Sequence, residues 1–390
     1  MRRLFTGMAV AWMTAASTFA EFSPLSFHSE GQGIPVAQMG ARERGMGEAG
    51  MAALSTKGYF LPNISRAAYF DRTIFVASLE TDMDWLHDNS SANHQMTTAM
   101  PTVATFIKTK NLGAFGAYYQ QTFLRNFGVA SPLSAGMRQD FTAEGGLFLL
   151  GAAWAWSPIP LFSLGFSQNV VLGHDRLISA ASFSDTLINA ENVQDTLQMD
   201  HWGTYPTFSG TLHTHRIDAA LSFTPSVDLN TERSERITFI KGDSIPDTTR
   251  TLPMKIALGV GWRFAPRHVA ACDLYFENWS GGNGLLNSAY QLALGYEFRG
   301  VDNPFAEYRK RMSYRAGMGY EVLYLRETKE IYGTLGLGLP LGMRGHVLDF
   351  SVKYGHRSLD GNTFFAEDYV KLSASVVGVA VWGQPTRKRR

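Results

Sequence analysis

The chain has 390 residues and a formal net charge of +1, which excludes the strongly basic balance typical of nucleic-acid-binding proteins. Hydrophobic residues make up 45% of the chain and aromatic residues 13%, yet the mean hydropathy is only −0.10. No apolar run is long enough to cross a bilayer as a helix, so the apolar residues are dispersed along the chain.

The N-terminus has the order of a secretory signal peptide. The basic pair Arg2 and Arg3 precedes an uncharged, mostly apolar stretch, Leu4–Ala16. Thr18 and Ala20 then supply the small residues that a signal-peptidase site requires. We therefore expect residues 1–20 to be removed and the mature chain to lie outside the cytoplasm. The alternative reading is a short buried helix.

Three glycines near the N-terminus, Gly45, Gly47 and Gly50, have the G-x-G-x-x-G spacing of a dinucleotide-binding loop. That spacing indicates a phosphate site only between a buried strand and a helix, and the segment Ile34–Leu54 has no such context. Small residues at this density also let backbones pack closely in a crowded interior. We favour this second interpretation, and no cofactor is predicted.

From about residue 68 onward the chain alternates apolar and polar residues with period two. Clear examples are Met254–Phe264, Tyr290–Arg299, Tyr314–Val322 and the stretch from Leu348 to Tyr354. Period two is the pattern of strands whose two faces meet different surroundings. A soluble sandwich also alternates, but aromatic residues at strand ends, a small or charged opposite face and strands of about 10 or more residues favour a transmembrane barrel.

We predict an all-β, transmembrane antiparallel β-barrel of about 14 strands, with an even number so that both termini lie in the periplasm. The predicted strands are 69–83, 100–110, 112–126, 141–157, 161–172, 212–226, 235–241, 250–264, 267–279, 287–300, 309–325, 328–340, 344–358 and 366–382. The fifth link, 173–211, is then a long loop whose apolar residues form either a ligand groove or a self-packed surface. These residues are Leu177, Ile178, Phe183, Leu187, Ile188, Val193, Leu197 and Met199.

The face predicted to line the lumen carries bases and acids in nearly equal number. Its charged residues are Arg216, Asp218, Lys255, Arg263, Asp273, Glu277, Glu297, Arg299, Arg315, Glu321, Asp349, Lys353 and Lys371. A lumen of one sign would predict an ion-selective pore. The mixed signs instead favour cross-strand ion pairs or contacts with a plug inside the barrel.

Two parts of the chain resemble the FadL-like family of outer-membrane long-chain fatty-acid transporters. The run GARERGMGEAGMAALSTKGYFLPNIS resembles the N-terminal hatch of that family, whose members carry G-A-R-x-x-G-M-G-x-A-G-x-A. The matching residues are Gly40, Ala41, Arg42, Gly45, Met46, Gly47, Ala49, Gly50 and Ala52, with Tyr59 and Phe60 at the aromatic step. The family's Asn-Pro-Ala is altered to Leu61-Pro62-Asn63. The runs YGTLGLGLPLG, LDFSVKYGHRS and EDYVKLSASVVGVAVW resemble the closing strands of uncharacterised branches of the family.

The resemblance implies a 14-stranded barrel plugged by a hatch, with a lateral exit where the third strand kinks. Gly113 and Gly116 permit such a kink, although they could equally relieve crowding. We therefore expect a signal peptide at 1–20, a hatch at 21–66, a barrel at 67–383 and a basic periplasmic tail at 384–390. The expected location is the outer membrane of a Gram-negative-type cell.

Other groups of reactive side chains give weaker indications of a function. His213 and His215 lie two residues apart, with Asp200 and His201 nearby, but a metal site is not demonstrated by this spacing and we predict none. His346 and His356 lie beside the thirteenth predicted strand, but no serine motif accompanies them, so we predict no enzyme. Cys272 is the only cysteine, so no disulfide can form within the chain.

Two functions remain open at this point. The first is passive uptake of a hydrophobic small molecule or lipid, such as a fatty acid. The alternative is a FadL-like shuttle in protein secretion or surface attachment, which binds a secreted protein cargo at its loops. Neither needs a nucleic acid or a cofactor.

Overall fold

Alternation of inward and outward side chains builds the chain into a closed antiparallel β-barrel of fourteen strands, as predicted. The computed structural model describes residues 33–53, 55, 58–87, 92–132, 137–183, 193–237, 246–279, 286–324, 328–342, 345–359 and 366–380. The predicted signal peptide and basic tail lie outside the described residues. Among the described residues, no helix is both long and apolar enough to cross a membrane.

Short elements precede the wall strands. They are β1 (Ile34–Pro35), α1 (Ala41–Arg44) and a 3-10 helix (Ile64–Tyr69). The first half of the wall contains β2 (Thr73–His87), β3 (Ala92–Ala99), β4 (Thr102–Lys108), β5 (Ala114–Pro132), β6 (Met137–Ile159), β7 (Phe162–Phe183), β8 (Val193–His213), β9 (Ile217–Thr224) and β10 (Val227–Ile237). The second half contains β11 (Thr248–Leu252), β12 (Met254–Ala265), β13 (His268–Asn278), β14 (Ala289–Phe298), α2 (Tyr308–Arg311), β15 (Ser313–Val322), β16 (Thr328–Leu341), β17 (His346–Leu359) and β18 (Ala366–Ala380).

Three wall strands are interrupted, so β3 with β4, β9 with β10, and β11 with β12 each count as one. Every wall strand pairs antiparallel with its neighbours in the chain, and β18 closes the barrel against β2 from Ala366↔His87 to Ala380↔Thr73. The start of β2 and the end of β18 therefore lie at the same end of the barrel, which we call the terminal end. The turns after β4, β6, β8, β12, β14 and β16 lie there too.

The outer face of the wall is apolar. In β12 the side chains of Leu258, Val260 and Trp262 are 48%, 50% and 52% exposed, whereas the intervening Ala257 is 7% exposed. β14 repeats this, with Leu292 and Leu294 outside and the fully buried Ala293 inside. The period-two pattern is thus confirmed, and it gives the barrel an apolar outer face of the kind that transmembrane barrels present to lipid.

The predicted sixth and seventh strands are wrong in position, although the total is right. The sixth wall strand is β8 and the seventh is β9 with β10, so the predicted 212–226 spans the turn between them. The predicted loop at 173–211 consists largely of the end of β7 and most of β8, while Leu187 and Ile188 lie outside the described residues. No apolar loop groove is therefore formed by the described part of this segment.

The reason lies in the length of these strands. β6, β7 and β8 have 23, 22 and 21 residues, about twice the 9–11 that cross a bilayer. The first part of β8 shows no alternation of burial, and alternation begins only near His201. Strand tips that project beyond the bilayer have water on both sides. Their sequence therefore shows no alternation of apolar and polar residues from which a strand could be recognised.

Candidate functional site

The N-terminal segment, Gly33–Phe70, lies inside the barrel. Its backbone N–H groups bond to side chains on widely separated wall strands: Ala41 N to Ser375 Oγ at 3.2 Å, and Ser65 N to Ser209 Oγ at 3.0 Å. Gly50 N and Met51 N both donate to Asp273 Oδ2, at 2.6 and 2.7 Å. All residues from 39 to 53 are buried. The segment therefore crosses the interior and contacts the wall on several sides.

The glycine run packs against the wall at van der Waals distance. Gly47 has φ +65°, and a Cβ there would lie 2.4 Å from the carbonyl oxygen of Leu294 and 2.6 Å from the amide nitrogen of Met318. A Cβ on Gly317 of β15 would in turn lie 2.1 Å from the amide nitrogen of Gly47. Two glycines thus face each other where the N-terminal segment meets the wall. The spacing serves close packing in this structure.

A buried ion-pair network joins α1 to β14 and β15. The guanidinium of Arg42 binds both carboxylate oxygens of Glu297, with Nε–Oε1 at 3.1 Å and Nη2–Oε2 at 2.7 Å. Arg315 donates to Glu297 at 2.8 Å and to Asp349 at 2.6 Å. Burial lowers the pKa of Arg42, but the carboxylates of Glu297 and Glu43 outweigh burial and hold that pKa above its ordinary value. Arg42 is therefore charged at any working pH.

Glu43 is a third acid of this network, after Glu297 and Asp349, and no pattern in the sequence identifies it. Its Oε1 accepts from Arg42 Nη1 at 2.8 Å and from Arg66 Nη2 at 3.2 Å. Arg66 also donates to the carbonyl oxygen of Gly50 at 2.5 Å, which ties the 3-10 helix to the glycine run. A bidentate Arg–carboxylate contact fixes geometry as well as charge. The network therefore holds the segment in one orientation.

A second network lies on the other side of the segment, around Glu48. The Nζ of Lys353 contacts Glu48 Oε1 at 3.1 Å and Glu330 Oε1 at 3.0 Å, and Arg44 Nη1 lies 3.5 Å from Glu48 Oε1. Burial raises the pKa of Glu48, but the charges of Lys353 and Arg44 outweigh burial and hold that pKa below its ordinary value. Glu48 is therefore an anion that binds the segment to Lys353 of β17, and Gln291 of β14 also donates to it at 2.7 Å.

Two spaces lie on opposite sides of the N-terminal segment and share no lining residue. The inner space is a cavity of about 200 Å³. Its apolar lining includes Phe123, Leu149 and Tyr324, and its charged lining includes Glu48 and Lys353. The lining of this cavity thus combines apolar side chains with charged ones.

The second space opens at the terminal end and has about 980 Å³. Its lining includes the four arginines Arg42, Arg263, Arg299 and Arg315. The segment with its two ion-pair networks separates this mouth from the cavity.

The structure brings five of the thirteen predicted lumen residues to these networks: Glu297, Arg299, Arg315, Asp349 and Lys353. Arg299 Nε donates to Glu297 at 3.0 Å, and Arg263 pairs with Asp218 near the mouth. Glu321 lines the cavity. Arg44 and Arg66 were missed because charge alone on a short, non-periodic segment does not identify an interior partner.

The irregularity of the third wall strand lies elsewhere than at the predicted glycines. Gly113 has φ +85° and belongs to the turn before β5, while Gly116 pairs regularly with Phe106 and Ala153. The register of β5 shifts between Gln121 and Phe123. The irregularity of this strand is therefore a register shift at Thr122, a position that is not glycine.

The histidines do not gather into a metal site. His213 Nδ1 contacts Asp218 Oδ1 at 2.7 Å, whereas His201 Nε2 contacts Asp175 Oδ2 at 3.1 Å at a distant point of β8. Asp200 contacts His174 instead, at 2.6 Å. Within the part of the chain that the structure describes, no three His, Cys, Asp or Glu side chains could hold one metal ion.

The chain matches one family model and is similar in fold to several solved structures. A family model described as BamG matches residues 2–386. No curated protein matches the chain. Among solved structures, a Pseudomonas aeruginosa FadL homologue has a TM-score of 0.62 at 12% identity, covering 88% of this chain and 98% of that chain. The Ralstonia pickettii toluene transporter TbuX has a TM-score of 0.59 at 13% identity, covering 89% and 98%. The Pseudomonas putida toluene transporter TodX gives the same four values.

Proposed function

The chain belongs to the BamG family, and we propose that it is an outer-membrane channel for the passive uptake of hydrophobic, fatty-acid-like small molecules. The observation that carries this proposal is an interior cavity lined by both apolar and charged side chains, in a barrel whose fold is FadL-like. The charges of Glu48 and Lys353 fit the polar end of an amphipathic molecule, and Phe123 and Leu149 fit its chain. Burial of that chain supplies roughly 0.8 kcal/mol per CH₂.

We further propose that the N-terminal segment acts as a hatch and that the terminal end faces the periplasm. The buried ion pairs of Arg42 and Glu48 support the role of a hatch, since they hold the segment across the interior. A hatch without an energy source permits only downhill movement. Direction then follows the concentration gradient.

Uptake of radiolabelled oleate by cells that display the protein tests this function. Ala289→Trp places a large side chain on the cavity lining, whereas Leu292→Trp, on the same strand, changes only the lipid-facing surface. We expect Ala289→Trp to lose most of the uptake and Leu292→Trp to retain it. Equal uptake by both variants, or none above cells lacking the protein, contradicts the proposal.

The secretion or attachment role predicted as the alternative has a separate readout. Cross-linking in cells that captures an exported protein at the end opposite the terminal end, with oleate uptake unaffected by Ala289→Trp, would favour that role.

A further inference from the structure

The lining of the interior cavity contains one charged residue that has no partner. Nine charged residues of the described part of the chain line this cavity, and eight of them form ion pairs at 3.5 Å or closer. The ninth is Glu321 of β15, which forms no hydrogen bond or ion pair with any described residue. Glu321 is therefore the charged lining residue that is available to a ligand.

The residues opposite Glu321 on the two neighbouring strands do not compensate its charge. In the register of the wall, Glu321 lies opposite Gln291 of β14 and Glu330 of β16. The amide nitrogen of Gln291 donates to Glu48 Oε2 and to the Tyr332 hydroxyl, both at 2.7 Å, so its two N–H groups are already used. Glu330 is itself an acid, and like charges directly opposite each other on paired strands are destabilising. The wall therefore leaves the carboxyl group of Glu321 uncompensated.

The charges around Glu321 are mostly negative. Lys353 attracts Glu321 electrostatically, but its Nζ contacts Glu48 at 3.1 Å and Glu330 at 3.0 Å. Glu48, Glu277 and Glu330 all repel Glu321. Such repulsion is stronger in the interior of a protein than in water, because the dielectric constant is lower there. A cation from outside the chain would relieve this repulsion.

The uncharged lining of the cavity suits an organic cation. Three tyrosines, Tyr118, Tyr205 and Tyr324, line the cavity together with the apolar side chains of Phe123 and Leu149. The faces of aromatic rings attract ammonium groups, and apolar side chains bury a hydrocarbon chain. The cavity therefore offers an acid and aromatic rings for an ammonium group, and apolar surface for the chain that carries it.

A carboxylate fits the same lining less well. Every cation that lines the cavity among the described residues is already bound to at least one acid of the chain. An ionised carboxylate would have to share one of these cations and would be repelled by Glu321. Specificity of this kind arises from repulsion of one ligand as well as attraction of another. The charges of the lining thus favour a cationic polar end over an anionic one.

We infer that the cavity selects amphiphilic amines, and that the carboxyl group of Glu321 binds their ammonium group. This inference rests on the proposed function, because it takes the cavity as the place where the transported molecule binds, and it names the polar end of that molecule. A fatty acid passes through the same cavity but is bound more weakly there. Removing the charge of Glu321 should therefore change which polar end is preferred without changing the barrel.

Two ligands with the same chain and opposite charge test the inference. Binding of radiolabelled decylamine and decanoate is measured at pH 7 on the protein in phosphatidylcholine nanodiscs, where the amine is protonated and the acid is ionised. Ala289→Trp, which fills the cavity lining, gives the background of ligand dissolved in the bilayer. Glu321→Gln removes the charge and keeps the shape, and Glu144→Gln, an exposed acid of β6, is the matched control. Folding is checked by the mobility of unheated samples on gels.

The natural protein and Glu144→Gln should bind decylamine at least about tenfold more tightly than decanoate, and Glu321→Gln should lose this preference. A preference that persists in Glu321→Gln would overturn the inference. So would equal or tighter binding of decanoate by the natural protein, a comparison that needs no folded variant. Both results leave the proposed function intact as long as binding exceeds the Ala289→Trp background. Binding of neither ligand above that background would overturn the proposed function and this inference together.

Discussion

Arg42 and Glu297 form a two-point ion pair across the barrel interior, at 3.1 and 2.7 Å, and this pair joins the N-terminal segment to β14 together with the hydrogen bond from Gln291 to Glu48. Both side chains are at most 4% exposed. The pair is compensated on each side, since Glu43 also binds Arg42 and Arg315 also binds Glu297. The position of the segment therefore depends on a balanced set of buried charges and not on one bond.

Removing the charge of Glu297 should release the segment. Glu297→Gln leaves Arg42 and Arg315 buried with fewer anions, and breaking a buried pair from one side costs about 3–5 kcal/mol. We expect a lower midpoint of heat-induced unfolding and a higher single-channel conductance in planar bilayers. Asp140→Asn is the matched control, because its pair with Arg138 is 38% and 62% exposed and contributes at most about 1 kcal/mol. An unchanged conductance and midpoint in Glu297→Gln would show that the network does not hold the segment.

Gly47 should tolerate no side chain. Gly47→Ala meets both a left-handed backbone, which costs on the order of 1–3 kcal/mol, and an overlap with the carbonyl of Leu294 of similar cost. We expect loss of folded protein in the outer membrane, measured as the fraction that keeps the mobility of the folded form on unheated gels. Gly333→Ala is the control, since a Cβ there has no neighbour within 4 Å among the described residues. Equal folded fractions for the two variants would contradict the close packing.

The ion pairs that hold the N-terminal segment through Glu48 should weaken in acid. The pKa of Glu48 is held below its ordinary value by Lys353 and Arg44, against the effect of burial. Its stabilisation is therefore fully present above the unfolded pKa of about 4.3 and is lost as the pH falls through the lower folded pKa. The unfolding midpoint of the natural protein should exceed that of Glu48→Gln at pH 7, and the difference should shrink below about pH 4. A difference that is constant from pH 7 to pH 3 would exclude Glu48 as the cause, and Glu144→Gln, an exposed acid, should show no difference at any pH.

The two parts of the apolar outer surface should respond differently to charge. Leu294 and Val193 are each 40% exposed, but Leu294 lies in the middle of β14 and Val193 at the tip of β8. Leu294→Arg places a charge against lipid and should destabilise by about 2–4 kcal/mol, while Val193→Arg beyond the bilayer should change the stability little. The change in the free energy of unfolding of each variant is measured by urea-induced unfolding of the protein in detergent-free liposomes. A similar loss at both positions would mean that the tips of the long strands are also embedded.

The strand count and the facing of most strands were predictable because lipid and interior impose opposite demands on alternate residues. This alternation stops where a strand leaves the bilayer. The first part of β8 shows no alternation, and the position of β8 was therefore predicted wrongly. β1 was not predictable, since two residues carry no period and its partner Leu124 lies 90 residues away. Arg42 was identified by resemblance, whereas its binding to Glu297 depends on three-dimensional closure that no local pattern encodes.

The most direct test of the account is to locate a bound substrate-like molecule. Photo-cross-linking with a diazirine-tailed C16 fatty acid, mapped by peptide mass spectrometry on the protein in liposomes, distinguishes the inner face of β6 from its outer face. The account predicts labels at Leu149 and Phe123, which line the cavity, in excess of those at Leu150, which faces outward. Labels confined to Leu150 and other lipid-facing residues would contradict it.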